Sequence, residues 1–118
     1  MYNEGLHEDK DDISKETRDQ HRALLSLQEE LEAIDWYRQR ADVCDNKQLK
    51  AILLHNMREE MEHAAMLIEW LRRSDNDLSD HLRDYLFTDT PITEIEENTS
   101  VETETASNEG RTIGTLKD

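Results

Sequence analysis

From Ser14 to Ala41 apolar side chains return every three or four positions: Ala23, Leu24, Leu27, Leu31, Ile34, Tyr37 and Ala41. That period belongs to an amphipathic α-helix, and neither Pro nor Gly interrupts it. Ser14 stands before the run as an N-cap, with Glu16 in the first turn. The stretch "DVCDNK" then reads as a turn in which Asp45 or Asn46 caps a second helix. This second helix runs to about Arg73 on a stripe of Leu49, Leu53, Met57, Ala64, Leu67 and Leu71. "RRSDND" ends it, with cations in the last turn and turn-forming residues after. A short third helix, about Leu78 to Leu86, has Leu78, Leu82, Tyr85 and Leu86 on one face and stops at Thr90-Pro91.

Two long helices joined by a short turn form an antiparallel hairpin. A hairpin has one apolar face and nothing of its own to cover it, and the third helix is too short to do so. Association is therefore expected, and two hairpins make a four-helix bundle. Residues 1–13 are polar and expected to be flexible, and residues 14–97 form the helical domain. Residues 98–110, acidic and Thr-rich with almost no large apolar side chain, read as a disordered linker. Ile113 and Leu116 then return around Gly114 in "RTIGTLKD", residues 111–118. An apolar hook on a tether reads either as a docking peptide or as a frayed tail.

Composition sharpens this picture. The 118 residues allow one small domain, of which 36% are charged and 35% apolar, with a net charge of −15. The mean hydropathy of −0.96 lies near the border with disorder. A core this thin calls for metal, disulfides or oligomerisation. Cys44 is the single cysteine, so disulfides give way to the other two, and a free thiol fits a reducing compartment. "MYNEGLHEDKDDIS" carries no apolar targeting segment, and no run approaches the roughly 18 apolar residues of a membrane span. The acidity argues against nucleic acid as a partner and favours cations.

The candidate chemistry lies in "REEMEHAAM", residues Arg58 to Met66. With each residue advancing about 100°, Leu53, Leu67 and Leu71 lie within roughly 20° of Glu60, and His63 about 60° away. Glu60 thus falls within the apolar stripe, where a lone carboxylate costs several kcal/mol unless paired or metal-bound. On the first helix Glu30 lies about 60° from Leu27 and about 40° from Ile34, also bordering the core. Carboxylate-bridged di-iron bundles take a Glu from each of two helices and Glu-x-x-His from each of the other two. One chain carries half of that inventory, and two chains around a twofold axis supply the whole. Oxygen-rich donors with imidazole suit iron or manganese. His55, Glu59 and Glu62 share the opposite side of the second helix, and Glu29 and Glu32 share the back of the first, flanking Trp36. These are either accessory acidic metal sites or an ordinary wet helix face with local ion pairs. Tyr37 is either a core residue or a hydrogen-bonding neighbour of the metal shell. Met57, Met61 and Met66 read as helix packing.

"HRALLSLQEELEAIDWYRQRAD", "ILLHNMREEMEHAAMLIEWLRR" and "HLRDYLFTDTPITEIE" together resemble the encapsulated ferritins, over about Ser14 to Glu97 and again at the C-terminus. The resemblance implies an all-α fold, a two-helix antiparallel hairpin plus a short C-terminal helix that dimerises into a ferritin-like four-helix bundle, assembled as a decamer of five dimers. It implies a ferroxidase that oxidises Fe(II) to Fe(III) at a di-iron centre across the dimer interface, with Glu30, Glu60 and His63 as ligands and Tyr37 beside them. Glu29 and Glu32 would be the carboxylates where metal comes in. His55, Glu59 and Glu62 would form an outer site, for calcium or other divalent cations. "RTIGTLKD" is similar to peptides that load such enzymes into encapsulin shells, which implies a cytoplasmic protein inside an encapsulin nanocompartment, storing and detoxifying iron. The end of the peptide, Lys117-Asp118, departs from the basic ending common in such peptides. Two rivals stand beside this reading: a non-enzymatic helical adaptor, and another di-iron oxidase or peroxidase.

Overall fold

A computed structural model of the chain describes residues 5–96. These are helical throughout their ordered elements, with no strand among them: a 3-10 turn at Lys10–Asp12, then α1 (Lys15–Val43), α2 (Lys47–Ser74) and α3 (Asn76–Tyr85). The expected all-α class is borne out. The 3-10 turn lies inside the stretch expected to be flexible, and the Asp9 carboxylate starts it by accepting from the Asp11 N–H at 2.9 Å. The linker 98–110 and the peptide 111–118 lie outside the described residues.

Each helix begins where a short polar side chain satisfies a backbone donor that the helix itself leaves open. Ser14 Oγ accepts from Thr17 N–H at 3.1 Å. Of the two capping candidates for α2, Asn46 is the one used, its Oδ1 accepting from Leu49 N–H at 2.9 Å. Asp75 accepts from Asp77 and Leu78 N–H at 3.0 and 3.2 Å, so a single non-helical residue separates α2 from α3.

The end of α3 falls as expected, at Tyr85, one residue before Leu86. Thr90-Pro91, expected to stop it, lies further along. Phe87 takes a left-handed φ of 60°, and the Thr88 hydroxyl donates to the Tyr85 carbonyl at 2.9 Å. Pro91 starts a helical stretch instead, covering residues 92–96, as its fixed φ and missing N–H allow at a first turn.

The described residues fall into two compact units, divided between Leu71 and Arg72. In the first, α1 and α2 pack along a seam of mostly small residues. Ala23 and Ala41 are buried on α1, and Met57, Ala64 and Leu71 on α2. The α2 set repeats every seven residues, the coiled-coil interval that keeps one edge facing its neighbour. Leu53, Glu60 and Leu67 form a parallel row beside it and are half-buried. Glu60 therefore borders the seam within one chain. On its other side the apolar surface continues uncovered, through Ile52, 56% exposed, and Trp70, 44% exposed. From Met57 to that pair the arc spans roughly 140°, with Glu60 near its middle. The stripe read from the sequence is thus real but wider than one partner helix can cover, and α2 spends half of it inside the hairpin. On α1 the same division leaves Leu24 and Leu31 more than half exposed. Met66, expected to pack, is 59% exposed. In the second unit Ser79 and Ile95 are buried. No helix among the described residues is long and apolar enough to cross a membrane.

Candidate metal centre

The turn between α1 and α2 is centred on Asp45. Glu30 precedes it by fifteen residues (45 − 30) and Glu60 follows it by fifteen (60 − 45). In an antiparallel hairpin equal counts place two residues at the same height, here roughly 22 Å from the turn at about 1.5 Å per residue. Glu30 also occupies a seam position, seven residues from Ala23 and seven from Tyr37. The two carboxylates are thus brought together by chain length and helix phase, and His63 joins them one turn beyond Glu60.

Side-chain geometry agrees. His63 Nδ1 lies 3.6 Å from Glu30 Oε2 and 3.5 Å from Glu60 Oε2. One ligand atom from each of Glu30, Glu60 and His63 falls within 4.8 Å of the others, and no other group of three His, Cys, Asp or Glu does so among the described residues. The two carboxylates are about three-quarters buried, at 23% and 25% side-chain exposure, whereas the imidazole is 45% exposed. Both contacts are too long for hydrogen bonds. Glu30 Oε2 is buried without a hydrogen-bond partner, and among the described residues the only other such side-chain atom is Arg18 Nε. A buried acceptor without a donor costs free energy that an added cation would recover. Two hard oxygen donors and one imidazole are a donor set for iron or manganese, so the residues present fit such an ion.

The other sequence candidates are not drawn into this cluster. Tyr37 is half-buried, with the Arg40 guanidinium 5.5 Å from its ring centroid. Seven residues of helix set it roughly 10 Å along the axis from Glu30. His55 Nε2 and Glu59 Oε1 approach to 3.6 Å across one turn, and Glu62 is exposed without completing a third ligand. Glu29 and Glu32 are exposed on the outer surface of α1, as is half of Trp36. What sequence reasoning missed is how far the uncovered apolar face extends, to Ile52 and Trp70. It was visible in principle as the leucines and tryptophan lying beyond the angular width that one neighbouring helix can cover.

A helical hairpin that gathers Glu from one helix and Glu-x-x-His from the other has the make-up of half a ferritin-like bundle. The chain belongs to the EncFtn-like family, whose model matches residues 5–89. It is 56% identical over 90 residues to a protein of Rhodospirillum rubrum named encapsulated ferritin-like protein, covering 76% of this chain and 64% of that one. It is 54% identical over 94 residues to a ferritin-like protein of Thermotoga maritima, covering 80% and 82% respectively. A 60-residue stretch is 42% identical to an encapsulin nanocompartment cargo protein, EncC, of Myxococcus xanthus, covering 51% of this chain and 46% of that one. The chain thus spans less than two thirds of the first and third of these relatives. Among solved structures, protein ne0167 of Nitrosomonas europaea is similar with a TM-score of 0.72 and 58% identity, over 75% of this chain and 97% of that one.

Proposed function

We propose that this protein is a ferroxidase, oxidising Fe(II) to Fe(III) at a centre that two copies complete around a twofold axis. The observation that carries the reading is the convergence of Glu30, Glu60 and His63, with a buried Glu30 oxygen left without a donor. A twofold axis beside this cluster doubles the inventory to two Glu30, two Glu60 and two His63, the donor set of a carboxylate-bridged di-iron bundle. The exposed Leu24, Leu31, Ile52, Met66 and Trp70 supply the apolar surface that such a pair buries. Iron is the substrate as well as the occupant, and each Fe(II) gives up one electron to the oxidant. The chain's own residues bind and neutralise: Glu60 lies where it can be shared across the axis, Glu30 brings a desolvated negative charge, and His63 offers Nδ1. Burial of the two carboxylates favours retention of a cation, because their charges have few water molecules to solvate them.

The resemblance of "RTIGTLKD" to loading peptides, together with the cargo name of the Myxococcus relative, supports a protein carried inside an encapsulin nanocompartment. An open pair or ring has no closed cavity of its own, so the ferric product would be stored inside the shell. Anaerobic addition of Fe(II) followed by air tests the enzyme reading on the native chain and on Glu60→Ala. Fast ferric absorbance at about one iron per chain, lost in the variant, is the expected result for a half-site of this composition. Oxidation no faster than in buffer would remove the enzyme and leave a helical adaptor.

A further inference from the structure

The second unit presents an apolar surface that the metal centre does not use. Arg72, Leu82, Arg83, Leu86 and Phe87 line an open groove of ≈ 570 Å³. Phe87 is fully exposed at 104%, and Leu86 is 47% exposed. Phe87 also holds φ at 60°, a backbone region that aromatic residues rarely enter, so an exposed ring stands on a strained backbone. The groove's setting is fixed: the Arg72 guanidinium donates to the buried Ser79 hydroxyl at 3.1 Å, and the Thr88 hydroxyl closes the end of α3.

We propose that residues 111–118 dock in this groove of their own chain, with Ile113 and Leu116 against Leu82, Leu86 and Phe87. Chain length permits it. Glu96, the last residue described, follows Phe87 by nine positions (96 − 87), so the two lie within about 32 Å of each other. Ile113 follows Glu96 by seventeen (113 − 96), a tether that spans up to about 60 Å extended and about 20–25 Å as a random coil. The root of that tether is held against the folded protein, since Ile95 is 6% exposed. Composition and charge select the occupant. Beyond Glu96 the large apolar side chains are Val101, Ile113 and Leu116, and the last two stand close together. In a chain of net charge −15, the groove sets two arginines beside its apolar floor. A guanidinium has five donors, so Arg83, 4.0 Å from Asp80 Oδ1, and Arg72, bonded to Ser79, can each take a further carboxylate. Glu109 lies two residues before Arg111, and Asp118 two after Leu116, so carboxylates bracket the apolar pair. A tethered ligand is present at an effective concentration on the order of millimolar, so a contact of millimolar strength is formed about half the time. The peptide is then withheld from other surfaces until one of them binds it more tightly, and an encapsulin shell competes with the groove for it. That consequence rests on the loading role proposed above; the docking does not.

Nuclear magnetic resonance of the full chain labelled with ¹⁵N-glycine tests it. The sequence then yields amide signals from Gly5, Gly110 and Gly114, and Gly114 lies between Ile113 and Leu116. Synthetic RTIGTLKD supplies the Gly114 shift of the undocked peptide. The native signal is expected to be displaced from that position and to return to it in Phe87→Asn, which removes the ring while asparagine tolerates the positive φ. Arg83→Glu should move it in the same direction, as should an excess of unlabelled synthetic peptide filling the native groove. Gly5, in the first unit, should hold its position throughout, which reports an intact fold. A native Gly114 signal at the free-peptide position would overturn the inference, as would equal displacement in native and Phe87→Asn. Labelled Phe87→Asn refolded with an excess of unlabelled native chain should also keep the free position; displacement there would put the peptide in a neighbour's groove and overturn docking within one chain. Loading into shells, measured on native and truncated chains, separates the two proposals. A displaced Gly114 in a protein that enters shells without residues 111–118 keeps the docking and removes the loading role. Loading through those residues with Gly114 at the free position does the reverse.

Discussion

Replacing Glu30 with leucine should stabilise the metal-free protein and abolish its stabilisation by metal. In the native chain Glu30 Oε2 is buried without a hydrogen-bond donor, and the nearest cationic candidate, His63 Nδ1, is 3.6 Å away. An orphaned buried acceptor costs about 1–3 kcal/mol. The side chain retains 23% exposure, which places the cost in the lower half, about 1–2 kcal/mol. Leucine has similar reach and no acceptor to leave unpaired, and it extends the apolar row between Ala23 and Tyr37. In a domain of this size each kcal/mol corresponds to roughly 4–8 °C in melting temperature. The metal-free variant is therefore expected to melt roughly 4–16 °C above the native protein. Metal reverses the order. An ion at about 100 times its Kd adds about 2.7 kcal/mol to a protein that binds it only when folded, and the variant has lost a ligand. Thermal melts followed by circular dichroism, in chelator and in excess Mn(II) as an air-stable probe, check both halves. Protein concentration is held fixed, because pairing makes melting concentration-dependent. A metal-free Glu30→Leu that melts below the native protein would refute the idea of a strained carboxylate. Equal elevation of both proteins by Mn(II) would refute Glu30 as a ligand.

Two further predictions concern surfaces. Leu31 is 51% exposed, so Leu31→Glu should change the single hairpin's stability by no more than about 0.5 kcal/mol, yet it places a charge at the proposed twofold face. Sedimentation should show the metal-centred pair lost and iron oxidation reduced with it; a pair of unchanged strength would mean that another face is used. Removal of residues 111–118 should leave the melting temperature unaltered and, on co-expression with an encapsulin, leave the protein outside the purified shells. Enclosure of the truncated chain would assign loading to another segment.

Much of the hairpin was legible because its signals are local. Ser14 and Asn46 cap helices through side chains three residues from the donors they satisfy, and such bonds need no tertiary context. The cluster of Glu30, Glu60 and His63 was legible for a related reason: helix phase and distance from the turn are arithmetic on residue numbers. The extent of α3 was legible to within two residues at either end, but not the left-handed Phe87 that follows it, a conformation foreign to its residue type. Nor did periodicity separate the two halves of the α2 stripe. Met57, Ala64 and Leu71 are buried, whereas Ile52 and Trp70, on the far side of Glu60, are 56% and 44% exposed. The Tyr37 and outer-site readings required contacts between elements, which residue spacing does not encode.

The equal spacing of Glu30 and Glu60 from Asp45 makes the hairpin a ruler. One residue inserted between either ligand and the turn shifts that ligand about 1.5 Å and turns it about 100° around its helix, away from the other. Restoring the height on the second helix restores the level but not the phase. Seven residues added on each side nearly restore both, with about 20° of drift per heptad. Permissible lengths between ligand and turn are therefore quantised, and the count of three residues in the loop between the helices is fixed with them.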